Sequence, residues 1–356
     1  MVLPFTPSHG GPALIVGVSN YESGSSDLPA GMIYDFSRRK AAGFLTGETG
    51  STGPMCQADL DGDGDLDLFV GGRIVPGQYP SPANSVLLEN RESKFVVAHE
   101  WPKLGMVQGA VFSDITGDSR PELILSLHWD SLRVYSWQKG SWKAREITRE
   151  LGLESTRGWW NGVATGDFNN DGRMDIAATN WGLNWRNKPT PSNPIRVYHG
   201  DMDGDGAVDA IESIRRNGKW QPERRLGVLR AAIPLVGERV SSFAQVGKSS
   251  VEQVFGELLE SASILEAVEF RSMIFLNLVD GMKPIQMPPE AQWTPGFGLV
   301  VEDFDGDRNQ DLFIAQNFFA TNPEYSRCDA GRGLLMLGNG LGEFKAIAAS
   351  QSGVVA

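Results

Sequence analysis

The chain has 356 residues, 41% of them hydrophobic, so it is large and apolar enough to fold around a sizeable core and is not expected to be disordered. Its formal net charge of -12 excludes long-range attraction to nucleic acid or to an anionic membrane surface. The 42 glycines and 20 prolines follow no collagen-like period, which favours many short strands joined by turns.

The first 50 residues contain three predicted strands, ALIVGVSN, GMIYDF and AAGFLTG, which fit a four-stranded unit whose opening strand is missing. The N-terminal MVLPFTPSHGG has neither the basic nor the apolar region of a secretory signal peptide. We therefore expect that a signal has been removed or that the chain is a fragment. No apolar run approaches the roughly 18 residues of a membrane-spanning helix, so membrane insertion is not predicted.

An acidic nonapeptide recurs along the chain. Four copies are well formed: DLDGDGDLD at 59–67, DFNNDGRMD at 167–175, DMDGDGAVD at 201–209 and DFDGDRNQD at 303–311. A weaker copy, DITGDSRPE, occupies 114–122. The intervals between the copies at 59, 114 and 167 predict a repeat of about 50 residues, a period typical of propellers and solenoids.

The residues after each nonapeptide are also similar. A short β-rich run is followed by a long turn and a second apolar run, which in four units reads SVLLEN, LRVYSW, IRVYHG and GLLMLG. Each unit is therefore predicted to be a four-stranded antiparallel meander. Repeated small sheets protect their edges by packing radially, so the sequence predicts an all-β fold, a β-propeller of about six such blades, in a single domain spanning 1–356.

One stretch, residues 225–265, does not fit the strand pattern. Within it, SSVEQVFGELL places apolar residues at helical spacing, with Ser249 and Glu252 as a possible capping box. We predict a helical insertion there, followed by a return to strand at FRSMIFLNL.

The nonapeptides suit calcium, which takes six to eight oxygen ligands. Side chains at positions 1, 3, 5 and 9 and the carbonyl at position 7 would bind the ion, and glycines at positions 4 and 6 would let the loop curl. The predicted ligands in the well-formed copies are Asp59, Asp61, Asp63, Asp65 and Asp67; Asp167, Asn169, Asp171, Arg173 and Asp175; Asp201, Asp203, Asp205, Ala207 and Asp209; and Asp303, Asp305, Asp307, Asn309 and Asp311. In the weaker copy they are Asp114, Thr116 and Asp118, so about four to five ions are expected in all.

Two other interpretations of these loops remain open. A solvated acidic turn needs no metal, and this alternative is strongest at 114–122, where Thr116 replaces a carboxylate and Arg120 adds a positive charge. An EF-hand shares the first nine positions but needs a glutamate at position 12 and flanking helices. Only the copy at 201–209 has that glutamate, Glu212, and it follows a strand-like segment.

The long turns between second and third strands are predicted to lie on the face opposite the acidic loops. They contain aromatic, histidine and arginine residues that suit recognition of a protein or glycan, although the same residues could instead pack between blades. The candidates are Tyr21, Arg73, Tyr79, His128, Trp129, Trp181, Trp185, Arg186, Phe318, Phe319, Tyr325 and Arg327.

No catalytic or zinc motif is found. The four histidines lack metal-ligand spacing, and neither GxSxG nor HExxH occurs. Cys56 and Cys328 lie far apart in sequence and are expected to be buried free thiols.

The loops and the stretches around them resemble FG-GAP/VCBS repeats, the calcium-binding propeller units of integrin α-subunit heads. The segments DLDGDGDLDLFVGGRIVPGQYP, TRGWWNGVATGDFNNDGRMDIAATNWGLN, EDFDGDRNQDLFIAQNFFATNPE and DAGRGLLMLGNGLGEF look most like the bacterial ASPIC/UnbV-associated group related to cartilage acidic protein. The resemblance implies a seven-bladed ring, so another chain could complete the propeller beyond Ala356. Arg308 departs from the family by replacing a loop glycine.

Taken together, these features predict a secreted, extracellular or periplasmic calcium-binding propeller that acts in adhesion or as a scaffold and has no enzymatic activity. Its partner would be a protein or glycan on the face opposite the loops. The alternatives are a polysaccharide lyase using an Arg, Tyr and His of that face, and a structural subunit of a larger complex.

Overall fold

The structure, a computed structural model, describes residues 1–7, 11–21, 29–45, 50–138, 140–322 and 324–354. Antiparallel sheets, mostly of four strands, make up nearly all of its regular structure, and helices are few and short. The predicted all-β class is confirmed. Across these ranges, no helix is both long and apolar enough to cross a membrane.

The first sheet runs in chain order: β1 (Val2–Phe5), β2 (Ala13–Gly17), β3 (Gly31–Asp35) and β4 (Lys40–Phe44). The prediction that its opening strand is missing is wrong, because Val2 pairs with Val16 and Phe5 with Ala13. This strand has four residues and includes Pro4, so it is too short to show an alternating pattern.

The next two sheets share one long strand. Their members are β5 (Ser51–Ala58), β6 (Asp67–Ile74), β7 (Ala83–Arg91), β8 (Lys94–Ser113), β9 (Glu122–Asp130), β10 (Arg133–Trp137) and β11 (Ala144–Glu146). The 20-residue β8 pairs first with β7 and then with β9, so the chain passes from one sheet to the next without a loop. A two-residue strand, β12 (Gly158–Trp159), also pairs with β9.

The fourth sheet is interrupted by a long insertion. Its strands are β13 (Val163–Gly166), β14 (Asp175–Ala178), β19 (Met273–Leu278) and β20 (Gly281–Gln286). The prediction that IRVYHG follows β14 in this sheet is wrong, because β14 pairs with β19 instead. Residues 179–272 lie between these two strands, and we call them the inserted unit.

The inserted unit has its own sheet, in the order β17 (Lys219–Pro222), β16 (Asp209–Arg216), β15 (Ile195–Gly200) and β18 (Ser263–Ala267). Its helices are α1 (Leu226–Ala232), α2 (Val236–Arg239), α3 (Phe243–Val246) and α4 (Val251–Phe255), followed by a 3-10 helix at Gly256–Ser261. The helices bury Val251, Val254 and Phe255 against Tyr198 of β15.

Two details of the predicted helical insertion differ in the structure. Strand β18 begins at Ser263, so the helices end before residue 265. The capping box is formed by Ser250 and Gln253, one residue later than expected, because Ser250 is the residue whose side chain accepts the Gln253 backbone N–H.

The last sheet contains β21 (Gly296–Glu302), β22 (Asp311–Gln316), β23 (Leu334–Gly338) and β24 (Phe344–Ile347), and it is preceded by a 3-10 helix at Pro289–Gln292 and followed by α5 (Ala349–Ser352). Apart from the inserted unit, successive sheets touch through β2 and β5, β5 and β8, β8 and β13, and β13 and β21. We call these five sheets the main row.

Sheets inside the main row bury both faces. On β6, Leu68 and Val70 pack toward the first sheet, whereas Phe69 packs toward the third. On β14, Ile176 faces the third sheet and Ala177 faces the last. This sandwiching explains why these strands are continuous apolar runs in the sequence, since a strand covered on both sides need not alternate.

Candidate metal loops and the opposite face

All five acidic loops share one backbone arrangement. The aspartate at position 1 accepts a hydrogen bond from the backbone N–H at position 6 in each loop. In the first loop, Asp59 Oδ2 accepts from Gly64 at 3.0 Å, while its Oδ1 accepts from Gly62 at 2.7 Å. The loop therefore curls around its first carboxylate.

The curl depends on left-handed residues at positions 4 and 6. These are Gly62 and Gly64, Gly117 and Ser119, Asn170 and Gly172, Gly204 and Gly206, and Gly306 and Arg308, all with φ between 56° and 93°. A side chain strains this conformation by about 1–2 kcal/mol, so Ser119 and Arg308 hold costly positions.

Replacing Arg308 by glycine is expected to stabilise the protein by about 1 kcal/mol, because it removes the strain at φ 73°. Chemical unfolding of Arg308→Gly in a chelating buffer measures this. The matched control is Asn309→Gly. Asn309 does not have a left-handed φ, so this variant should leave the free energy of unfolding unchanged or lower it. Equal stabilisation by both variants would contradict the explanation.

The carboxylate at position 9 joins the loop to its sheet. Asp311 Oδ2 accepts from Phe304 N–H at 2.8 Å, and Oδ1 accepts from Gly338 N–H on the third strand at 2.8 Å. Asp67 and Asp175 make the same two kinds of bond, to Asn90 and Asn277 on their third strands. Position 9 is thus a structural residue as well as a candidate ligand.

Three loops gather carboxylate oxygens closely enough to hold a metal ion. In each trio, the oxygens lie within 4.8 Å of one another: Asp59, Asp61 and Asp67; Asp201, Asp203 and Asp205; and Asp303, Asp305 and Asp311. Burial raises the pKa of Asp67 and of Asp175 to about 6, and neighbouring aspartates add to the shift. Since the donors are all oxygen, these loops fit a hard cation such as calcium.

The loop at 167–175 has the same fold with one amide in place of a carboxylate. Asn169 stands at position 3, and its Nδ2 donates to Asp171 Oδ2 at 3.2 Å. An amide oxygen is also a calcium ligand, so Asn169, Asp167 and Asp171 retain the donor chemistry.

The loop at 114–122 uses its polar groups internally. Arg120 forms an ion pair with Asp118 and donates to the Trp137 carbonyl at 3.1 Å. Thr116 Oγ1 donates to Glu122 Oε1 at 3.2 Å. The guanidinium of Arg120 therefore supplies, within the loop, the positive charge that an ion would bring.

Four loops lie side by side, but the fifth does not. The loops starting at Asp59 and Asp114 line one cavity of about 410 Å3 with Trp137 and Trp142, and those starting at Asp114 and Asp167 line another cleft. Asn170 Nδ2 then donates to Asn309 Oδ1 at 2.9 Å, which joins the loops starting at Asp167 and Asp303.

The loop at 201–209 lies toward the opposite end of the sheets. Gly200 lines the same cleft as Asp130, which is at the far end of β9 from Glu122. The prediction that the long turns lie on the face opposite the acidic loops is therefore wrong for this loop. The reason is that this loop joins the two central strands of its sheet, β15 and β16, and not a third to a fourth strand. Flanking strands also exclude an EF-hand here.

Many of the candidate ligand-face residues pack against each other. Ring contacts run from Trp129 to Trp159 at 5.1 Å, on to Trp181 at 5.2 Å, and from there to Trp185 and Phe318. Trp185 reaches Tyr325 at 4.8 Å. These rings link the main row to the inserted unit, so most of their surface serves packing. By contrast, Tyr21, Phe319 and Arg327 are largely exposed.

A charged network surrounds Tyr325. Its hydroxyl donates to Glu212 Oε2 at 3.0 Å, and the guanidinium of Arg186 lies 4.5 Å from its ring centre. Arg224 approaches Glu212 at 3.4 Å. Burial raises the pKa of Glu212, while Arg224 opposes the shift. Glu212, whose spacing suggested an EF-hand ligand, instead joins the inserted unit to the loop carrying Tyr325.

Tyr79, Trp129, His128 and Arg73 form the other part of this face. Trp129 Nε1 donates to the Tyr79 hydroxyl at 2.8 Å, and His128 Nε2 lies 2.9 Å from Asn161 Oδ1. Burial lowers the pKa of His128 to about 4, with a further contribution from Arg73. The sequence did not indicate Asn161 or Arg224, and it indicated Glu212 only as a possible EF-hand ligand, since no local pattern shows which side chains these turns meet.

Residues 114–178 match the family model of an FG-GAP-like repeat. This segment of the chain is therefore an FG-GAP-like repeat. It spans two acidic loops and the strands between them. No match was found among curated proteins.

Several solved structures show weak similarity. A mutant of the lectin from Aleuria aurantia, in complex with Fucα1-6GlcNAc, has a TM-score of 0.41 and 9% identity over 98% of this chain and 77% of that chain. The same mutant with α-methyl-L-fucoside scores 0.39 at 8% identity, covering 98% and 76% of the two chains. A mercury derivative of the fucose-specific lectin scores 0.36 at 10% identity, with the same coverage. At these scores the similarity decides neither fold nor ligand.

Proposed function

We propose that the chain is a calcium-binding β-propeller that acts as an extracellular or periplasmic binding or scaffold module. The observation that carries calcium binding is the convergence of carboxylate oxygens in loops of one repeated geometry. The sandwiched sheets of the main row support the propeller arrangement, because radial packing covers both faces of each blade. Membership of the ASPIC/UnbV-associated group is part of this proposal.

Calcium would act in these loops as a structural ion. It would be held by the side chains at positions 1, 3 and 5 and the carbonyl at position 7, with position 9 both binding the ion and joining the loop to the third strand. The ion would offset the repulsion among clustered carboxylates. Three ions would then lie along the main row and one in the inserted unit, in the loop starting at Asp201.

We expect no ion at 114–122, because Arg120 already neutralises Asp118 there. Native mass spectrometry of the calcium-loaded protein should therefore count four ions. The paired variant Asp59→Asn, Asp61→Asn should bind three, whereas Arg120→Gln should bind four or five. A wild-type count of five would contradict the role of Arg120, and a count of zero would remove the calcium proposal.

Recognition of a protein or glycan is proposed for the face that carries Arg73, Tyr79 and His128. His128 lines the cleft at the boundary with the inserted unit. Tyr79 bonds the neighbouring Trp129, and Arg73 lies close enough to lower the pKa of His128. We propose binding without catalysis. If instead an acidic polysaccharide gave an unsaturated product, and His128→Ala abolished it, the lyase would replace the binding module.

A further inference from the structure

A cleft of about 810 Å3 separates the main row from the inserted unit. The main row contributes Lys103, His128 and Asp130, and the inserted unit contributes His199 and Ser263. Ligand pockets of about 300–1,000 Å3 commonly form where two structural units meet. The cleft is distinct from all the acidic loops of the main row, which lie at the other end of β9.

Two strained residues lie at this cleft. Lys103 has φ 53° and Trp129 has φ 63°, although neither is glycine. Such conformations cost about 1–3 kcal/mol each and persist where neighbours hold them, often at ligand sites. Here Trp129 Nε1 donates to the Tyr79 hydroxyl at 2.8 Å, and the Lys103 backbone N–H donates to Asn84 Oδ1 at 2.9 Å.

The residues that line the cleft include two cations, Lys103 and Arg133, and one carboxylate, Asp130. Asp130 is paired with Arg133 at 2.5 Å, whereas exposed Lys103 has no ion-pair partner within the described ranges. Arg73 lies close enough to lower the pKa of His128. Its Nε donates to the neutral Gln108 Oε1 at 3.1 Å, and among the described residues it has no carboxylate partner either. On a chain of net charge -12, this local excess favours an anionic group.

The remaining polar groups are suited to hydroxyls. His128 and His199 both line the cleft, and imidazole nitrogens donate or accept hydrogen bonds. Since His128 Nε2 already bonds Asn161 Oδ1, its Nδ1 is the nitrogen left for a ligand. Ser263 adds a hydroxyl of its own. Hydrogen-bonding groups of this kind match the alternating donors and acceptors of a sugar ring.

We infer that this cleft binds a uronic-acid saccharide, with the sugar carboxylate at Lys103 and ring hydroxyls at His128, His199 and Ser263. The inference rests on the proposed glycan-binding function of this face and names its ligand class. A carboxylate on a hydroxylated ring combines the two chemistries that the cleft presents.

Calorimetric titration in calcium buffer at low salt tests this with two matched ligands, cellotetraose and its fully C6-oxidised tetraglucuronate. We expect the uronate to bind more tightly, and Lys103→Gln to weaken it about 10–100-fold, the loss typical of a charge-assisted hydrogen bond. Lys103→Arg should retain most of the affinity. The control Lys345→Gln, at an exposed residue of the outer strand β24, should change nothing.

Each other outcome has a defined meaning. Equal binding of both ligands, or an unaffected Lys103→Gln variant, would overturn the uronate assignment while glycan binding stands. Binding of neither ligand would remove the assignment, and it would leave protein recognition and calcium binding, which native mass spectrometry measures separately. Lys103→Gly, which relieves the left-handed strain, must lose uronate binding while remaining folded.

Discussion

We expect calcium at 10 mM to raise the midpoint of thermal unfolding of the metal-stripped protein by about 10 °C. Extracellular calcium modules bind with Kd values of about 0.1–1 mM, so each site contributes about 1.4–2.7 kcal/mol at this concentration. Four sites together add about 6–11 kcal/mol, and in a large domain each kcal/mol shifts the midpoint by a degree or two. Differential scanning calorimetry with and without chelator measures the shift.

Magnesium is the control for this experiment. It is smaller, prefers rigid octahedral sites and keeps its waters, so it should shift the midpoint far less at the same concentration. A midpoint that does not respond to calcium would show that the loops fold as solvated acidic turns. An equal response to both ions would indicate general charge screening.

The second large effect is expected at Asp311. Its two oxygens accept buried backbone N–H groups from Phe304 and Gly338, and the residue itself is fully buried. Asp311→Ala leaves both backbone donors without an acceptor, and each unsatisfied donor lowers the free energy of unfolding by about 1–3 kcal/mol. Relief of repulsion with Asp303 and Asp305 offsets part of this, so we expect a net loss of about 2–4 kcal/mol. Urea unfolding in chelator measures it without any contribution from metal.

Asp305→Ala separates the structural role from the metal role in the same loop. Asp305 is exposed, so its removal should leave the metal-free stability within about 0.5 kcal/mol of wild type. It should, however, remove one bound calcium. If Asp311→Ala were as mild as Asp305→Ala in chelator, the assignment of position 9 as the link to the third strand would be wrong.

The separate position of the loop at 201–209 changes what calcium is expected to do there. This loop connects β15 and β16, the central strands of the inserted unit, and the Ser261 hydroxyl donates to the Asp201 carbonyl. An ion at this loop would stabilise the inserted unit, and with it the wall of the cleft that carries His199. The ions of the main row would instead act between neighbouring sheets.

Properties that depend on residues close in sequence could be predicted without the structure. The carboxylate at position 1 and the position 6 backbone N–H from which it accepts a hydrogen bond lie within the same loop, so the motif itself encodes the curl. The all-β class follows equally from short apolar runs between turns. The free, buried state of Cys56 and Cys328 was also expected correctly.

Properties that depend on distant partners were decided only by the tertiary structure. IRVYHG has the pattern of the strand that should follow β14, yet β14 pairs with β19, nearly 100 residues on, because two apolar runs of similar quality compete and packing selects between them. The same holds for the cleft: Lys103, His128 and His199 come together because the inserted unit folds back against β9. Spacing along the chain specifies a loop, but a site between units exists only once their cores have packed.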